Sequence, residues 1–226
     1  MEKLESFISL SNIFKDHGFS LYLVGGSVRD YLLSGKINDL DVVTDATPEE
    51  VESFYDGEAS YAFKKYGAVT IHYQGFRFDL TTLRKEEGYT DKRHPNNIVF
   101  VKDLKEDVIR RDFTINALYM NSFLKIYDFV GGQADLNNKL IRMIGDPNQR
   151  LVEDPLRILR AIRFKLTFDF TIDESLKIAI KDNISLLKYL NPEKIKEEIR
   201  KMNRTKDELI PVFDEFNIHY LLDMIK

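Results

Sequence analysis

Four runs of strand length crowd into the first 83 residues, at 21–24, 40–44, 69–73 and 76–83, each rich in β-branched or aromatic side chains. No such strand can satisfy its own amides and carbonyls, so together they predict a shared sheet. Gly75 falls between the last two, where a hairpin turn is expected. Helical signals are interleaved. A helix over 27–33 follows Gly25-Gly26, and another over 48–55 begins with Thr47 as N-cap, Pro48 at the first helical position and Glu50 completing a capping box. Near Gly145 and Asp146 the texture changes. Pro155 opens a helix with apolar spacing through Leu156, Leu159 and Ile162, and a second amphipathic run extends over 184–202. The expectation is an α+β chain in two parts, a sheet with helices over 1–145 and an all-helical region over 146–226.

The 226 residues are 43% hydrophobic, enough for one large domain or two small packed ones. The absence of cysteine excludes disulfides, thiolate zinc sites and cysteine nucleophiles, and suits a reducing, cytoplasmic setting. Residues 1–15 are interrupted by Glu2, Lys3, Glu5 and Lys15, so no signal-peptide core is read there, and no window approaches membrane-spanning length. A net charge of −4 argues against a generally basic nucleic-acid surface. Any such contact must be local, at Arg84-Lys85, Lys92 to His94, Arg110-Arg111 or the series Arg157, Arg160, Arg163.

Chemistry concentrates first in Gly25-Gly26-Ser27-Val28-Arg29-Asp30, between a predicted strand and a predicted helix. Gly25 and Gly26 let the backbone approach phosphate oxygens, the free amides at the helix start attract anions, and Arg29 adds a charge-assisted bond. The same residues also fit a plain strand-to-helix turn with Arg29 in solvent. Next comes Asp39-Leu40-Asp41, whose two carboxylates share one face of a strand and repel unless a cation lies between them. Magnesium is the expected occupant; a solvated strand edge is the alternative. Asp79, in Arg77-Phe78-Asp79-Leu80, is the candidate third carboxylate on a neighbouring strand.

These residues resemble a known family. The segment 23–30 followed by 39–44 is similar to the head of class II tRNA nucleotidyltransferases (CCA-adding enzymes) and bacterial poly(A) polymerases, in the polymerase-beta-like superfamily. Residues 110–117, reading Arg-Arg-Asp-Phe-Thr-Ile-Asn-Ala, resemble its ribose-selecting motif. Asp128-Phe129-Val130-Gly131-Gly132 with Asp135-Leu136 resembles its hinge-side motif, and Glu153-Asp154-Pro155-Leu156-Arg157 its base-selecting motif. The resemblance implies a polymerase-beta-like head with a mixed sheet, then a helical neck. It implies a metal-dependent nucleotidyltransferase that extends a tRNA 3′ end from CTP and ATP. Asp39, Asp41 and Asp79 would be catalytic, the first two holding Mg2+, while Gly25, Gly26, Ser27 and Arg29 would bind triphosphate.

Arg111, Asp112 and Asn116 would then bind the ribose, since an arginine and a carboxylate together can test a 2′-hydroxyl that is both donor and acceptor. Asp112 as a local cap is the alternative. Cytosine and adenine each present an amino donor beside an unprotonated ring nitrogen, so Asp154 accepting and Arg157 donating can pair with either base. Glu153, four residues before Arg157, is placed to orient it, and Arg160 and Arg163 continue the strip toward phosphate or primer. An N-cap at Asp154 with a surface Glu153–Arg157 pair is the plain alternative. No histidine lies in these motifs, leaving a metal to lower the pKa of the attacking hydroxyl or Asp79 to take its proton.

The stretch 84–95 is polar and of mixed charge, and is expected to be a loop. In the family, a loop at this place accompanies addition of the terminal adenosine, which favours CCA addition here over an A-adding enzyme or a poly(A) polymerase. A catalytically silent nucleotide-binding subunit is the alternative of another kind. The neck is expected to be truncated relative to the family, with an oligomeric partner as one remedy.

Overall fold

The computed structural model describes residues 2–88 and 96–224. Residues Met1–Glu87 with Asn97–Gln133 form one compact unit, and Ala134–Lys226 with Gly88–Asn96 form a second.

The first unit runs α1 (Glu2–Asp16), β1 (Leu21–Val24), α2 (Gly26–Ser34), β2 (Leu40–Thr44), α3 (Pro48–Phe54), β3 (Ala59–Ser60), β4 (Ala68–Tyr73), β5 (Phe76–Thr82), β6 (Arg84–Glu87), β7 (Asn97–Phe100), α4 (Leu104–Asp107), β8 (Leu118–Met120) and β9 (Ile126–Asp128). Seven of the strands make one sheet in the order β3-β4-β5-β2-β1-β8-β9. Every pair in it is antiparallel except β2 with β5. A parallel pair needs a crossover, and residues 45–75 supply it with α3 and two further strands. That register sets Asp41 opposite Asp79.

Local signals account for the joints. Gln74 and Gly75 both take positive φ, 51° and 80°, the form a two-residue hairpin turn requires, so β4 turns directly into β5. Thr47 caps α3 with the reciprocal Glu50 bond and Pro48 at its start. The core packs Phe7, Leu10 and Phe14 of α1 with Leu23, Val42, Ile71, Phe78 and Leu80 of the sheet, all essentially fully buried. Burial of each such side chain is worth about 1.5–3 kcal/mol.

The second unit carries β10 (Leu140–Ile141), α6 (Pro147–Glu153), α7 (Leu156–Phe168), β11 (Thr171–Ile172), α8 (Glu174–Asn183), α9 (Pro192–Lys201) and α10 (Lys206–Glu215), after the short α5 (Gly132–Asn137), whose residues fall on both sides of the division. α7 buries Ile158, Leu159, Ala161 and Ile162. Beyond α9, Phe213, Phe216, Leu221 and Leu222 are buried too.

Three expectations need correction. The stretch 84–95 is not a loop from its first residue: Arg84–Glu87 pairs antiparallel with Asn97–Phe100. Its charges are answered on the spot, Arg84 by Glu86, Glu86 by Arg110, and Lys85 by Glu106, so polarity there does not mean solvation. The part of that expectation falling on 89–95 lies outside the described residues. The run 184–202 is two pieces, because Pro192 begins a fresh helix capped by the Asn191 side chain on the Glu193 amide. The region after 146 is not purely helical: Asp169 takes φ 55°, ending α7, and the β-branched pair Thr171–Ile172 joins Leu140–Ile141 in a short parallel ladder.

Candidate active site

β1 ends at Gly25, whose φ of 63° and ψ of −125° suit glycine and little else. α2 then starts at Gly26 with no side chain capping it, so its first amides point outward as donors for an anion. A Cβ on Gly26 would lie 3.4 Å from Arg29 Nη2 and 3.7 Å from Asp41 Oδ2, so this bare backbone sits between a guanidinium and a carboxylate. The buried Ser27 hydroxyl donates to the Asp39 carbonyl at 2.7 Å and accepts from the Asp41 amide at 2.8 Å. It therefore locks the turn onto the acidic segment. For a phosphate, Ser27 offers its amide and not its hydroxyl.

The acidic segment begins one residue earlier than the strand. Asp39 is exposed just before β2, while Asp41 is half-buried within it. The Asp41 carboxyl is pushed up to about 6, first by burial, then by the charges of Asp39 and Asp79, with Arg111 and Arg29 pulling the other way. Asp79, in register beside Asp41, is turned toward Arg77: its Oδ1 accepts from Arg77 Nε at 3.0 Å and Nη2 at 2.7 Å, and from Thr70 Oγ1 at 3.3 Å. Among the described residues no group of three or more His, Asp or Glu side chains is arranged to hold a metal. A cation at this place would rest on Asp39 and Asp41, hard oxygen donors whose mutual repulsion it would relieve.

Arg29 is not in solvent. It is 8% exposed, donates from Nε and Nη2 to Asp30 Oδ1 at 2.9 and 2.7 Å, and from Nη1 to Asn116 Oδ1 at 2.6 Å. Asn116 in turn donates to Asp112 Oδ1 at 3.3 Å, and that same oxygen accepts the Phe113 amide at 2.7 Å. Thus the glycine turn and the segment 110–117 are joined by one chain of side chains, while the turn that follows has Phe113 at its N-cap position and no side-chain cap, so Asp112 is not the cap that its position suggested. Arg111 donates to Asp107 Oδ2 and to the Tyr119 hydroxyl. Neither Asp107 nor Tyr119 was singled out from sequence. The available signal was the spacing of Asp107 three and four residues before Arg110 and Arg111.

Asp128 accepts the amides of Val130, Gly131, Gly132 and Gln133, which hold its carboxyl below the usual range although burial opposes them. A Cβ on Gly132 would fall 2.2 Å from the Thr114 carbonyl oxygen. Close approach of two backbones explains that glycine.

In the second unit, Asp154 ends α6 and its Oδ1 accepts the Leu156 amide at 3.0 Å, so it caps the start of α7. Arg157 is buried and donates from Nη1 to the Arg150 carbonyl at 2.7 Å and to Glu153 Oε2 at 3.4 Å. Arg150 holds the same Glu153 oxygen more closely, at 2.6 Å, and was not anticipated. The Glu153–Arg157 pair is therefore not a surface pair. Arg160 and Arg163 flank the Phe164 ring at 5.5 and 4.4 Å from its centroid. Arg163 also donates from Nε to the buried Glu198 of α9 at 2.9 Å.

No described helix is long and apolar enough to cross a membrane. Residues 21–142 match the family described as the Poly A polymerase head domain. The CCA-adding enzyme of Staphylococcus epidermidis is 38% identical over 221 residues, covering 92% of this chain and 55% of that protein. The crystal structure of the Bacillus stearothermophilus CCA-adding enzyme in complex with CTP matches with a TM-score of 0.85 at 31% identity, over 95% of this chain and 52% of that one. The Thermotoga maritima CCA-adding enzyme complexed with tRNA matches at 0.77 and 28%, over 96% and 51%. The chain spans about half the length of the curated relatives it matches.

Proposed function

This chain belongs to the Poly A polymerase head domain family, and from that premise we propose that it is a template-independent nucleotidyltransferase that builds CCA on tRNA 3′ ends from CTP and ATP. The observation that carries the reading is the Ser27 bridge, which makes the phosphate-facing turn and the paired carboxylates a single rigid piece. A nucleotide-binding subunit without turnover has no need of that coupling, whereas phosphoryl transfer depends on fixed geometry between triphosphate and charge-bearing groups.

In this reading residues 1–145 are the catalytic head and 146–226 the neck. The amides of Gly26 and Ser27 hold the triphosphate, Gly25, whose own amide donates to the Leu118 carbonyl at 3.3 Å, supplies the turn, and Arg29 stiffens that cradle through Asp30 and Asn116. Arg111 and Asp112 read the sugar. Asp154 and Arg157 read the base, with Glu153 and Arg150 orienting the guanidinium. Enzymes of this family are generally metal-dependent; here Asp39 and Asp41 would hold the ion, Mg2+ in our reading, which when bound neutralises charge on the phosphates and lowers the pKa of the attacking hydroxyl. Asp79 lies beside Asp41 as the third acid. The cysteine-free composition and these substrates suit the cytoplasm.

The test is extension of a tRNA lacking its terminal trinucleotide, with each nucleotide supplied separately. CTP alone should add two residues, ATP should then add one, and UTP or GTP should add none. Indifference to CTP with use of ATP would make the protein an A-adding enzyme or a poly(A) polymerase; no extension with any nucleotide would leave the silent binding subunit.

A further inference from the structure

Asp107 is 0% exposed, and its carboxylate is the hub of a cluster that the proposed chemistry does not use directly. One oxygen, Oδ1, accepts the Arg84 amide at 3.1 Å and Arg110 Nε at 2.8 Å. The other, Oδ2, accepts Arg111 Nε at 3.0 Å, Arg111 Nη2 at 2.8 Å and the Tyr119 hydroxyl at 2.9 Å. Tyr119, also 0% exposed, accepts Arg111 Nε at 2.9 Å, and its ring centroid lies 4.9 Å from the Arg111 guanidinium carbon. Arg111 is thus gripped through Nε and Nη2 by a carboxylate and a phenol, with the ring of that same phenol close to its guanidinium.

Such a grip leaves the side chain little freedom to rotate, and burying a carboxylate to achieve it is a poor device for stability alone. Replacing a buried ion pair by apolar groups is often neutral or stabilising. Burial works to neutralise Asp107, yet Arg111 and Arg110 hold its carboxyl far below the usual range. The next residue, Asp112, accepts from Asn116, which in turn accepts from Arg29 at the glycine turn, so the gripped arginine sits on the segment that is tied to the phosphate-facing turn.

We propose that Asp107 and Tyr119 are positioning residues that hold the Arg111 guanidinium at the sugar of the incoming nucleotide, so that recognition of the ribose depends on two buried side chains that never touch it. The inference rests on the reading of Arg111 and Asp112 as ribose contacts. Tyr119 matters in particular because its single hydroxyl accepts from Arg111 and donates to Asp107, tying the two together.

Tyr119→Phe removes one oxygen and keeps the ring. The experiment measures affinities for CTP and for 2′-deoxyCTP, with magnesium, by calorimetry on the wild type, Tyr119→Phe, Arg111→Lys and the double variant, beside melting curves. The expected result is that Tyr119→Phe lowers the preference for CTP over 2′-deoxyCTP about 5- to 10-fold, the worth of one hydrogen bond, and that this loss disappears in the Arg111→Lys background. Asp107→Asn should act in the same direction; should it fail to fold, Tyr119→Phe carries the test alone. An unchanged preference in Tyr119→Phe with only a lower melting temperature overturns the proposal, as does a loss that persists undiminished without Arg111, or a wild type that binds both nucleotides equally or neither. The extension assay stands apart: a protein that extends no RNA yet shows the Arg111-dependent loss keeps this inference and loses the CCA-adding one.

Discussion

Ser27 Oγ accepts the backbone amide of Asp41 at 2.8 Å while donating to the carbonyl two residues earlier, so one hydroxyl fixes the spacing between the glycine turn and the acidic pair. Ser27→Ala should leave that amide and carbonyl without their partner in a part-buried site. The expected cost is about 1–3 kcal/mol of stability. The expected loss of kcat is larger than any loss of CTP affinity, since the amides that meet the phosphates remain. A variant with wild-type kcat would remove the coupling argument on which the proposed function stands.

The acidic pair makes a prediction about pH. The Asp41 carboxyl is raised from 3.8 to about 6, so the folded protein binds that proton more tightly than the unfolded chain does. Its contribution is present at low pH and is lost as pH rises from about 4 through 6; above that, ionised Asp41 is a standing cost. In metal-free buffer Asp41→Asn should therefore melt higher than the wild type at pH 7.5, with the gap closing toward pH 4. Solvent screening of this half-buried site brings the gain to about 1–2 kcal/mol. Nucleotide transfer should be abolished. A variant less stable than the wild type at pH 7.5 would show that the carboxylates are not crowded as described.

Much of this arrangement is legible in the chain because its signals are local. Gly75, the Thr47–Glu50 box and Gly25-Gly26 each dictate backbone within four residues, and all stand where the sequence puts them. The Asp107 cluster is not legible in the same way. Its partners at Arg84 and Tyr119 lie 23 and 12 residues away, and only the fold brings them together. The strand over 84–87 escapes notice for the same reason: four charged residues in a row look solvated until the acids and arginines that pair with them are seen. Arg163 reads as an outward arginine because nothing near it announces Glu198, 35 residues on.

Gly132 offers a test of backbone packing that is independent of any ligand. With a Cβ 2.2 Å from the Thr114 carbonyl oxygen, Gly132→Ala must displace either the segment 110–117 or the loop that Asp128 organises. A loss of about 1–3 kcal/mol or more follows from overpacking of this kind. Thermal melting measures it, and an alanine variant as stable as the wild type would contradict the close approach of the two backbones.

Asp154 has one role seen in the structure and a second one proposed for it, and substitution separates the two. Asp154 caps α7 through Oδ1, and in the proposed function its carboxylate also accepts the amino group of cytosine or adenine. Loss of the cap alone should cost about 1 kcal/mol of stability and leave nucleotide preference untouched. Loss of a paired base contact should instead lower use of both CTP and ATP relative to UTP by about ten-fold or more, since such a contact is worth roughly 1–3 kcal/mol of discrimination. Asp154→Ala is expected to do both. Asp154→Asn divides the two effects: an amide oxygen can still accept the Leu156 amide, so stability should recover, but the neighbouring NH2 confronts the base's amino group with a second donor, so preference should not. Measuring kcat/KM for all four triphosphates beside a melting curve decides the matter. Recovered stability together with recovered preference for C and A in Asp154→Asn would mean that the residue acts only as a cap and that the base is read elsewhere.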